Sequence, residues 1–359
     1  CFLNGRQGLP RTRPVCRRDI FDCFAPRIKV LIHGLPSKGI ASRRGHGMAI
    51  TVVGSVALDS IQSAAGSVER EIGGSAVHFA NAASLCSKVY IVGVVGDDYP
   101  FDRIRYLKDR GVDFDGVEIV PGGKTFFWKG RYEGDMGSAI SEATELNVFQ
   151  DFAPVVKGEA RKSRFLFLAN IHPGLQLHVR KSIGDGAFAV LDSMNYWIEN
   201  AREDLLGVIA AVDAAILNSD EIRSLTGEKN LIAAARIVLG MGPSYVIIKK
   251  GEHGVLAVSR DWIAVLPAVP LETIVDPTGA GDSFAGALVG YLDRAGSMDA
   301  ATWRKALAWA NCVASFNVQD FSVYGIAGIT VRDVVRRYDE YRKVFQIEGE
   351  LDAVSDVAG

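Results

Sequence analysis

The chain has 359 residues, of which 48% are hydrophobic and 23% are charged, so it can bury the core of one large domain. Its formal net charge of −2 gives no electrostatic case for a nucleic-acid partner. No run of roughly 18 uncharged apolar residues occurs, so the sequence predicts no membrane-spanning helix.

The first 47 residues differ in character from the rest of the chain. They hold ten Lys or Arg, two acidic residues and three of the five cysteines, without sustained apolar periodicity. We expect residues 1–47 to be a disordered segment foreign to the fold, either translated upstream sequence or a leader. A mitochondrial transit peptide is the alternative; the many Arg favour it, whereas scarce Ser and frequent Pro oppose it. Residues 348–359 are predicted to be a flexible tail, which leaves 48–347 as the main domain.

The two other cysteines, Cys86 and Cys312, are far apart and lack the spacing of a zinc site or redox motif. Their pattern indicates no disulfide framework. The cytoplasm, a reducing compartment, is therefore the expected location.

Short apolar runs alternate with amphipathic segments from residue 50 onwards. We predict strands for the runs and helices for several of the segments between them. Continuous apolar strands separated by helices predict a mostly parallel sheet covered on both faces. The predicted strands are 50–56, 89–95, 165–169, 187–191, 214–217, 245–248 and 254–258, and the predicted helices include 76–85, 101–110 and 231–239.

Polar residues follow four of these strands, namely Asn170, Asp192, Asn218 and the pair Lys249-Lys250. Solvation of a loop explains any one of them. As a set they indicate one shared site, because ligands of open α/β sheets bind beyond the carboxyl ends of the strands.

Residues 111–146 interrupt the alternation. Within them, residues 125–132 alternate large and polar side chains, a pattern typical of a β ribbon and unsuited to the interior of a parallel sheet. We predict a small β lid over the site; an ordinary edge hairpin is the alternative. The exposed face of the lid could also pair with a second chain, which would make a homodimer.

The segment 274–292 carries the most specific chemistry. An apolar run ends at Asp276-Pro277, three small residues follow at 279–281, and a helix is predicted from Asp282. Small residues let a ligand approach the backbone, and the N–H groups at a helix start lack internal partners and carry roughly half a positive charge. The loop is therefore predicted to bind an anion such as a phosphate.

Asp282 needs a separate explanation. A carboxylate at a helix start is ordinarily a stabilising cap, but its charge competes with an incoming phosphate. A kinase has a use for it, because the acceptor hydroxyl must be oriented toward the γ-phosphorus and must lose its proton late in a loose transition state. The sequence thus indicates phosphoryl transfer.

The segment 276–288 resembles the C-terminal motif of the PfkB (ribokinase-like) carbohydrate kinase family. The resemblance covers about residues 49–345. It implies a ribokinase-like fold, which is a three-layer α/β/α arrangement with a mostly parallel sheet and a small β lid. Other family motifs are resembled, in the expected order, at 54–59, 73–74, 93–98, 218–221, 250–254 and 310–314.

The resemblance implies transfer of the γ-phosphate of ATP, with Mg²⁺, to a hydroxyl of a sugar or polyol. It gives Asp282 the role of general base and residues 279–281 the role of anion hole. The anion hole comprises Gly279, Ala280 and Gly281. The resemblance also implies that Asn218 and Glu221 bind Mg²⁺ largely through water and that Asp276 binds a monovalent cation such as K⁺. It implies nucleotide binding by Lys249, Gly251, Gly254 and Asn311, and acceptor binding by Asp59, Gly73, Gly74 and His78.

Three features depart from the family pattern. His78 stands where many members have a substrate-binding Asn; it either hydrogen-bonds the acceptor or is structural. Lys249 stands where many have a small hydroxyl residue; it either adds positive charge near the phosphates or is solvated. Trp128 and Arg131 of the ribbon either contact a larger acceptor or belong to a structural aromatic ribbon.

Two other functions stay open. A nucleoside kinase of the same family would stack a lid aromatic on the base. A non-catalytic sensor or structural subunit is less expected, because such relatives usually lose the base or the anion hole and this chain keeps both. His78 and the lid make plain ribose a less expected acceptor.

Overall fold

The computed structural model describes residues 47–134, 136–137 and 139–346. The predicted leader, apart from its last residue, and the predicted tail at 348–359 lie outside these ranges. Within the described ranges, no helix combines the length and the apolar character needed to cross a bilayer.

Nine strands form one large sheet in the order β13-β12-β11-β10-β9-β8-β1-β4-β5. The seven strands from β11 to β5 pair in parallel, whereas β12 and β13 form an antiparallel hairpin at the edge. The strands are β1 (Gly47–Val53), β4 (Val89–Gly96), β5 (Val112–Val120), β8 (Ser163–Leu168), β9 (Phe188–Asp192), β10 (Ala214–Asn218), β11 (Tyr245–Lys249), β12 (Val255–Ser259) and β13 (Ile263–Leu266).

The large sheet is buried on both faces because its strands are apolar at successive positions. In β8, Phe165 and Phe167 point into one core, whereas Leu166 and Leu168 point into the other. Helices cover each core, so the prediction of a three-layer α/β/α fold is confirmed.

The helices fall into two groups by the core that they cover. Those on the Phe165 side are α1 (Ser75–Ala83), α2 (Arg105–Asp109), α8 (Ala280–Ala295), α9 (Ala300–Asn317), α10 (Tyr324–Ala327) and α11 (Val331–Val344). Those on the Leu166 side are α3 (Pro173–Ile183), α4 (Asn195–Asn200), α5 (Arg202–Ala211), α6 (Ser219–Thr226) and α7 (Leu231–Met241).

A second sheet has four strands in the order β3-β2-β6-β7. Its strands are β2 (Ala57–Ser63), β3 (Gly66–Gly73), β6 (Phe126–Tyr132) and β7 (Ala139–Glu145). We call this small sheet the lid sheet.

The predicted limits of the lid, 111–146, agree with the structure at the C-terminal end, where β7 ends at Glu145, but are wrong on the N-terminal side. Residues 112–120 form β5 of the large sheet, and half of the lid sheet comes from 57–73, before the predicted segment. As an edge strand, β5 exposes one side, so its sequence alternates instead of running continuously apolar. Half of the β3 residues are exposed and only two of the eight are buried, so the strand carries little apolar signal.

Candidate active site

The predicted anion loop, residues 279–281, lies at the start of α8. Gly279 precedes the helix with a left-handed φ of 71°, a conformation that strongly favours glycine. Two hydrogen bonds fix Thr278, the residue before the loop: the Thr278 N–H donates to Asp276 Oδ1 (2.8 Å) and the Asn317 amide donates to the Thr278 carbonyl (2.8 Å). The start of α8 is thus held in a fixed loop.

Asp282 lies in the first turn of α8. Its Oδ1 atom is buried and has no hydrogen-bond partner among the described residues. Burial and the nearby charge of Asp192 raise the pKa of Asp282 to about 8, although the Lys249 ammonium opposes the rise. A buried carboxyl oxygen without a partner is unusual in a folded protein and is expected where a ligand completes the site.

Lys249 and Asp192 form an ion pair beside the loop. They end β11 and β9, and the Lys249 Nζ to Asp192 Oδ1 distance is 2.8 Å. A Cβ built on Gly281 would lie only 2.9 Å from the Lys249 Nζ, so the ammonium lies against the anion loop. Burial lowers the pKa of Lys249, but the charges of Asp192 and Glu221 outweigh burial and keep it above its usual value.

Asn218 and Glu221, the predicted magnesium residues, bond to each other at the start of α6. Asn218 Oδ1 accepts from the Glu221 N–H (2.8 Å), and the Asn218 N–H and side-chain amide donate to the two Glu221 oxygens (2.6 Å each). This arrangement is a capping box. Burial raises the pKa of Glu221 to about 7, while the Lys249 charge lowers it.

The predicted acceptor residues Asp59, Gly73, Gly74 and His78 lie around the junction of β2, β3 and α1. A Cβ at Gly73 would overlap the Asp59 carboxyl group, and a Cβ at Gly74 would lie 2.5 Å from the Ser55 carbonyl oxygen. Both positions therefore require glycine. Burial, with the charge of Asp276, raises the pKa of Asp59 to about 7.

His78 joins the acceptor residues to the anion loop. Its imidazole lies directly against Gly279, where a Cβ would overlap the ring. It is buried, and neither ring nitrogen forms a hydrogen bond of ordinary geometry with a described residue, although the Asn317 side chain lies near the ring. Burial lowers the pKa of His78 to about 4, so the ring is neutral at physiological pH.

The contact between His78 and the loop follows from close packing of α1 on α8. A Cβ at Gly286 would overlap the Phe79 carbonyl oxygen, and a Cβ at Gly290 would lie 2.9 Å from that of Ala83. Glycines at these positions let the two helices approach each other, which brings the acceptor residues and the anion loop together.

Two of the predicted nucleotide residues, Gly254 and Asn311, contact the end of β13 or the residue after it, and Gly251 begins the turn that leads to Gly254. Gly251 and Gly254 have left-handed φ values of 56° and 81°, and a Cβ at Gly254 would overlap the Leu266 carbonyl oxygen. The Asn311 amide donates to the carbonyl of the next residue, Pro267, at 2.8 Å. The glycine turn and α9 thus border the same stretch of chain. Next to it is a cleft of about 210 Å³ lined by Val269, Pro270, Leu271, Arg337, Glu340, Tyr341 and Val344.

Asp276, the predicted cation residue, is fully buried behind the loop. Besides Thr278, the Ser322 N–H donates to its carboxylate, at 2.9 Å to Oδ2. Burial is the main cause that raises the pKa of Asp276, and these two hydrogen bonds oppose the rise.

The lid sheet contacts the loop through a residue that the sequence did not single out. The Tyr132 hydroxyl of β6 lies 3.0 Å from Thr278 Oγ1. In contrast, Trp128 donates to Ser141 at 3.0 Å within the lid sheet, and Arg131 pairs with Glu142 at 3.2 Å. These contacts favour a structural role for Trp128 and Arg131.

These features are those of a ribokinase-like small-molecule phosphotransferase: a large, mostly parallel sheet, a helix start with a buried carboxylate, and a small lid sheet. Residues 47–327 match the family described as pfkB family carbohydrate kinase. The chain belongs to this PfkB family, and it is accordingly a phosphotransferase that acts on a hydroxyl group of a sugar or nucleoside.

Curated relatives and solved structures are similar to most of the chain. It is 32% identical to the cytidine kinase of Thermococcus kodakarensis, over 67% of this chain and 88% of that protein. It is 27% identical to the deoxyribokinase of Salmonella typhimurium, over 72% of this chain and 83% of that protein.

Two solved structures share the fold at 19% identity. One is the nucleoside kinase of Methanocaldococcus jannaschii, with a TM-score of 0.67 over 82% of this chain and 99% of that one. The other is a ribokinase II of E. coli in complex with ATP and Mg²⁺, with a TM-score of 0.68 over 81% of this chain and 99% of that one.

Proposed function

We propose that this kinase transfers the γ-phosphate of ATP to a hydroxyl of a free sugar or polyol, with Asp282 as general base and residues 279–281 as the anion hole. The contact between the His78 ring and Gly279 carries the proposal. It brings polar groups suited to a polyhydroxyl acceptor next to the helix start suited to a phosphoryl group.

The chemistry assigned to Asp282 rests on its environment. An acceptor hydroxyl at the loop donates to the unpartnered Oδ1 of Asp282 and so satisfies it. Once ionised, a carboxylate with a pKa of about 8 is a stronger base than an ordinary carboxylate, and its ionised fraction grows as pH rises toward 8. Asp59 and the neutral His78 orient the acceptor, and Gly73 and Gly74 let it approach the backbone.

The nucleotide is proposed to bind along β10, β11 and α9. Gly251, Gly254 and Asn311 line its adenosine end, and Lys249 faces its phosphates. The ATP complex of the E. coli structural neighbour supports this choice of phosphate donor.

Mg²⁺ fits Asn218 and Glu221 only through water. Both Glu221 oxygens already accept hydrogen bonds from Asn218, so direct ligation would break the capping box, whereas a metal-bound water can use their remaining lone pairs. When bound, Mg²⁺ neutralises charge on the β- and γ-phosphates. The Mg²⁺ of the E. coli structural neighbour supports the choice of metal.

Asp276 is also proposed to bind a monovalent cation behind the loop. Comparing turnover in K⁺ with turnover in Na⁺ tests this.

The edge strand β7, in which Ile140 is 41% exposed, is proposed to pair with a second copy of the chain. Measuring the molar mass in solution tests this.

A nucleoside kinase is the second candidate. The 32% identity to a cytidine kinase favours it, as does the likeness in fold to a nucleoside kinase. Against it, Trp128 and Arg131 are engaged within the lid sheet and are poorly placed to contact a base.

An acceptor panel separates the two candidates. The full chain is incubated with Mg-ATP and, separately, ribose, 2-deoxyribose, a set of hexoses and polyols, cytidine and inosine, and phosphorylated products are identified by mass spectrometry. We expect the highest kcat/KM with a sugar or polyol. Turnover of nucleosides alone would establish the second candidate, and turnover of no acceptor would contradict both.

A further inference from the structure

The ion pair between Lys249 and Asp192 is built into the site at some energetic cost. The side chains are 19% and 6% exposed, so both charges have lost most of their hydration. A buried ion pair seldom stabilises a fold more than apolar side chains of the same size would. Fold stability alone is therefore a weak reason for placing this pair at the end of the sheet.

The position of the pair points to the phosphoryl group. The Lys249 ammonium occupies the space that a side chain at position 281 would fill, 2.9 Å from the Cβ position of Gly281. Gly281 belongs to the helix start, whose N–H groups attract the same anion. An ammonium and a helix N-terminus would thus act on one ligand from two sides.

We propose that Lys249 is a catalytic residue whose ammonium stabilises the phosphoryl group during transfer, and that Asp192 is a positioning residue that holds this ammonium beside Gly281. The inference rests on the proposed function. It assigns to Lys249 a role in the transition state, which is distinct from simple affinity for the nucleotide.

In the step itself, the acceptor oxygen forms a bond to the γ-phosphorus while the bond from phosphorus to the β,γ-bridging oxygen breaks. The bridging oxygen leaves on ADP, and the proton of the acceptor hydroxyl goes to Asp282. Lys249 exchanges no proton and contributes charge alone. Its attraction grows as negative charge concentrates on the leaving oxygen.

Asp192 prevents the ammonium from taking another partner. Two other carboxylates, Glu221 and Asp282, attract Lys249 electrostatically. A direct pair with Asp282 would occupy the proposed base. The 2.8 Å contact to Asp192 keeps the ammonium at the loop and leaves Asp282 Oδ1 without a partner in the part of the chain that the structure describes.

The test compares Lys249→Met, Lys249→Arg and Asp192→Asn with the wild-type chain. Turnover is measured with Mg-ATP and the best wild-type acceptor among ribose, 2-deoxyribose, polyols, cytidine and inosine, and ADP affinity by calorimetry. We expect Lys249→Met to lower kcat about 10²-fold, as loss of one anion-hole donor does, with ADP affinity changed less than about 10-fold. Lys249→Arg keeps the charge and should recover most of the loss.

A double-mutant cycle tests the role of Asp192. Asp192→Asn should lower kcat in the wild-type background and have little further effect once Lys249 is Met, because a positioning residue acts only through its partner. Independent effects of the two substitutions would contradict a positioning role.

Arg164→Met is the matched control for loss of a buried ion pair. Arg164 pairs with Asp293 at 2.9 Å, with side chains 14% and 0% exposed, near the opposite end of α8. This variant should unfold at a lower temperature and keep its kcat. If Lys249→Met is too unstable to assay, Lys249→Gln, which also removes the charge, replaces it with the same expected loss.

An active wild-type chain whose kcat is unchanged in the Lys249 variants would overturn this inference and leave the proposed function intact. A loss confined to ADP affinity would also overturn it. A wild-type chain that phosphorylates no acceptor would instead overturn the proposed function.

Discussion

Asp282 is an ionisable side chain in a buried position, where a carboxylate loses the water that stabilises its charge. It lies in the first turn of α8, where carboxylates often cap backbone N–H groups, yet its Oδ1 has no hydrogen-bond partner among the described residues. Burial and Asp192 instead make its charged form costly. The residue therefore has a cost in stability that a capping role does not explain.

The burial of Asp282 predicts how the stability of the fold depends on pH. The pKa of Asp282 is about 8 in the folded protein and 3.8 in its reference state, so the folded protein binds this proton more tightly. The free energy of unfolding should therefore fall as pH rises from about 4 to about 8. Asp282→Asn removes this contribution and should raise Tm above that of the wild type by a few degrees at pH 8.5, with little difference near pH 4.

Asp299→Asn is the control, measured by thermal unfolding over the same range. Hydrogen bonds from Ser297 and Thr302 lower the pKa of Asp299 to about 2. Its contribution has the opposite sign and is lost only in acid, as pH falls below about 4 toward 2. Equal pH dependence of the wild type and Asp282→Asn between pH 4 and 8.5 would contradict the account of Asp282.

Single residues could be predicted only in part. The helix start and Asp282 stand in one contiguous segment, so local rules found them. Asp192 was recognised only as a polar strand end, because its partner Lys249 is 57 residues away. The capping box of Asn218 and Glu221 follows from their spacing, and it limits the way they can hold Mg²⁺.

At the scale of elements, the lid sheet takes strands from two separate segments. It joins β2 and β3, which directly follow β1, to β6 and β7 through parallel pairing of β2 with β6. A sequence shows strands by their apolar periodicity but does not show which strands pair. Residues 125–132 were therefore predictable as a ribbon, while the partners from 57–73 were not.

The lid sheet should affect catalysis through Tyr132. Its hydroxyl lies 3.0 Å from Thr278 Oγ1, so Tyr132→Phe removes one hydrogen bond, worth about 1 kcal/mol, between the lid and the loop. We expect a roughly 5-fold rise in the acceptor KM and faster hydrolysis of ATP by water, because a looser lid admits water.

Steady-state kinetics with and without acceptor measure both effects. Tyr90→Phe, on β4 where Lys88 covers the ring, is the control and should behave as the wild type. A Tyr132→Phe enzyme with unchanged KM and unchanged hydrolysis would show that the lid contact has no role in the reaction.

The whole molecule follows the rule that parallel sheets collect functional groups at one edge. Asp192, Asn218 and Lys249 end three neighbouring strands, and the anion loop lies against the last of them. The fold class was predictable because the central strands are continuously apolar. The β12–β13 hairpin was not predicted, because β13 has only four residues and half of them are exposed, and the approach of α1 to α8 was not, because it depends on contacts between residues far apart in the sequence.

The most direct test of the central claim is turnover by Asp282→Asn with Mg-ATP and the best wild-type acceptor, together with ADP affinity. The substitution keeps the size of the side chain and removes its ability to take the proton. We predict a loss of at least about 10²-fold in kcat with ADP affinity nearly unchanged. Turnover equal to that of the wild type would contradict the assignment of Asp282 as the base.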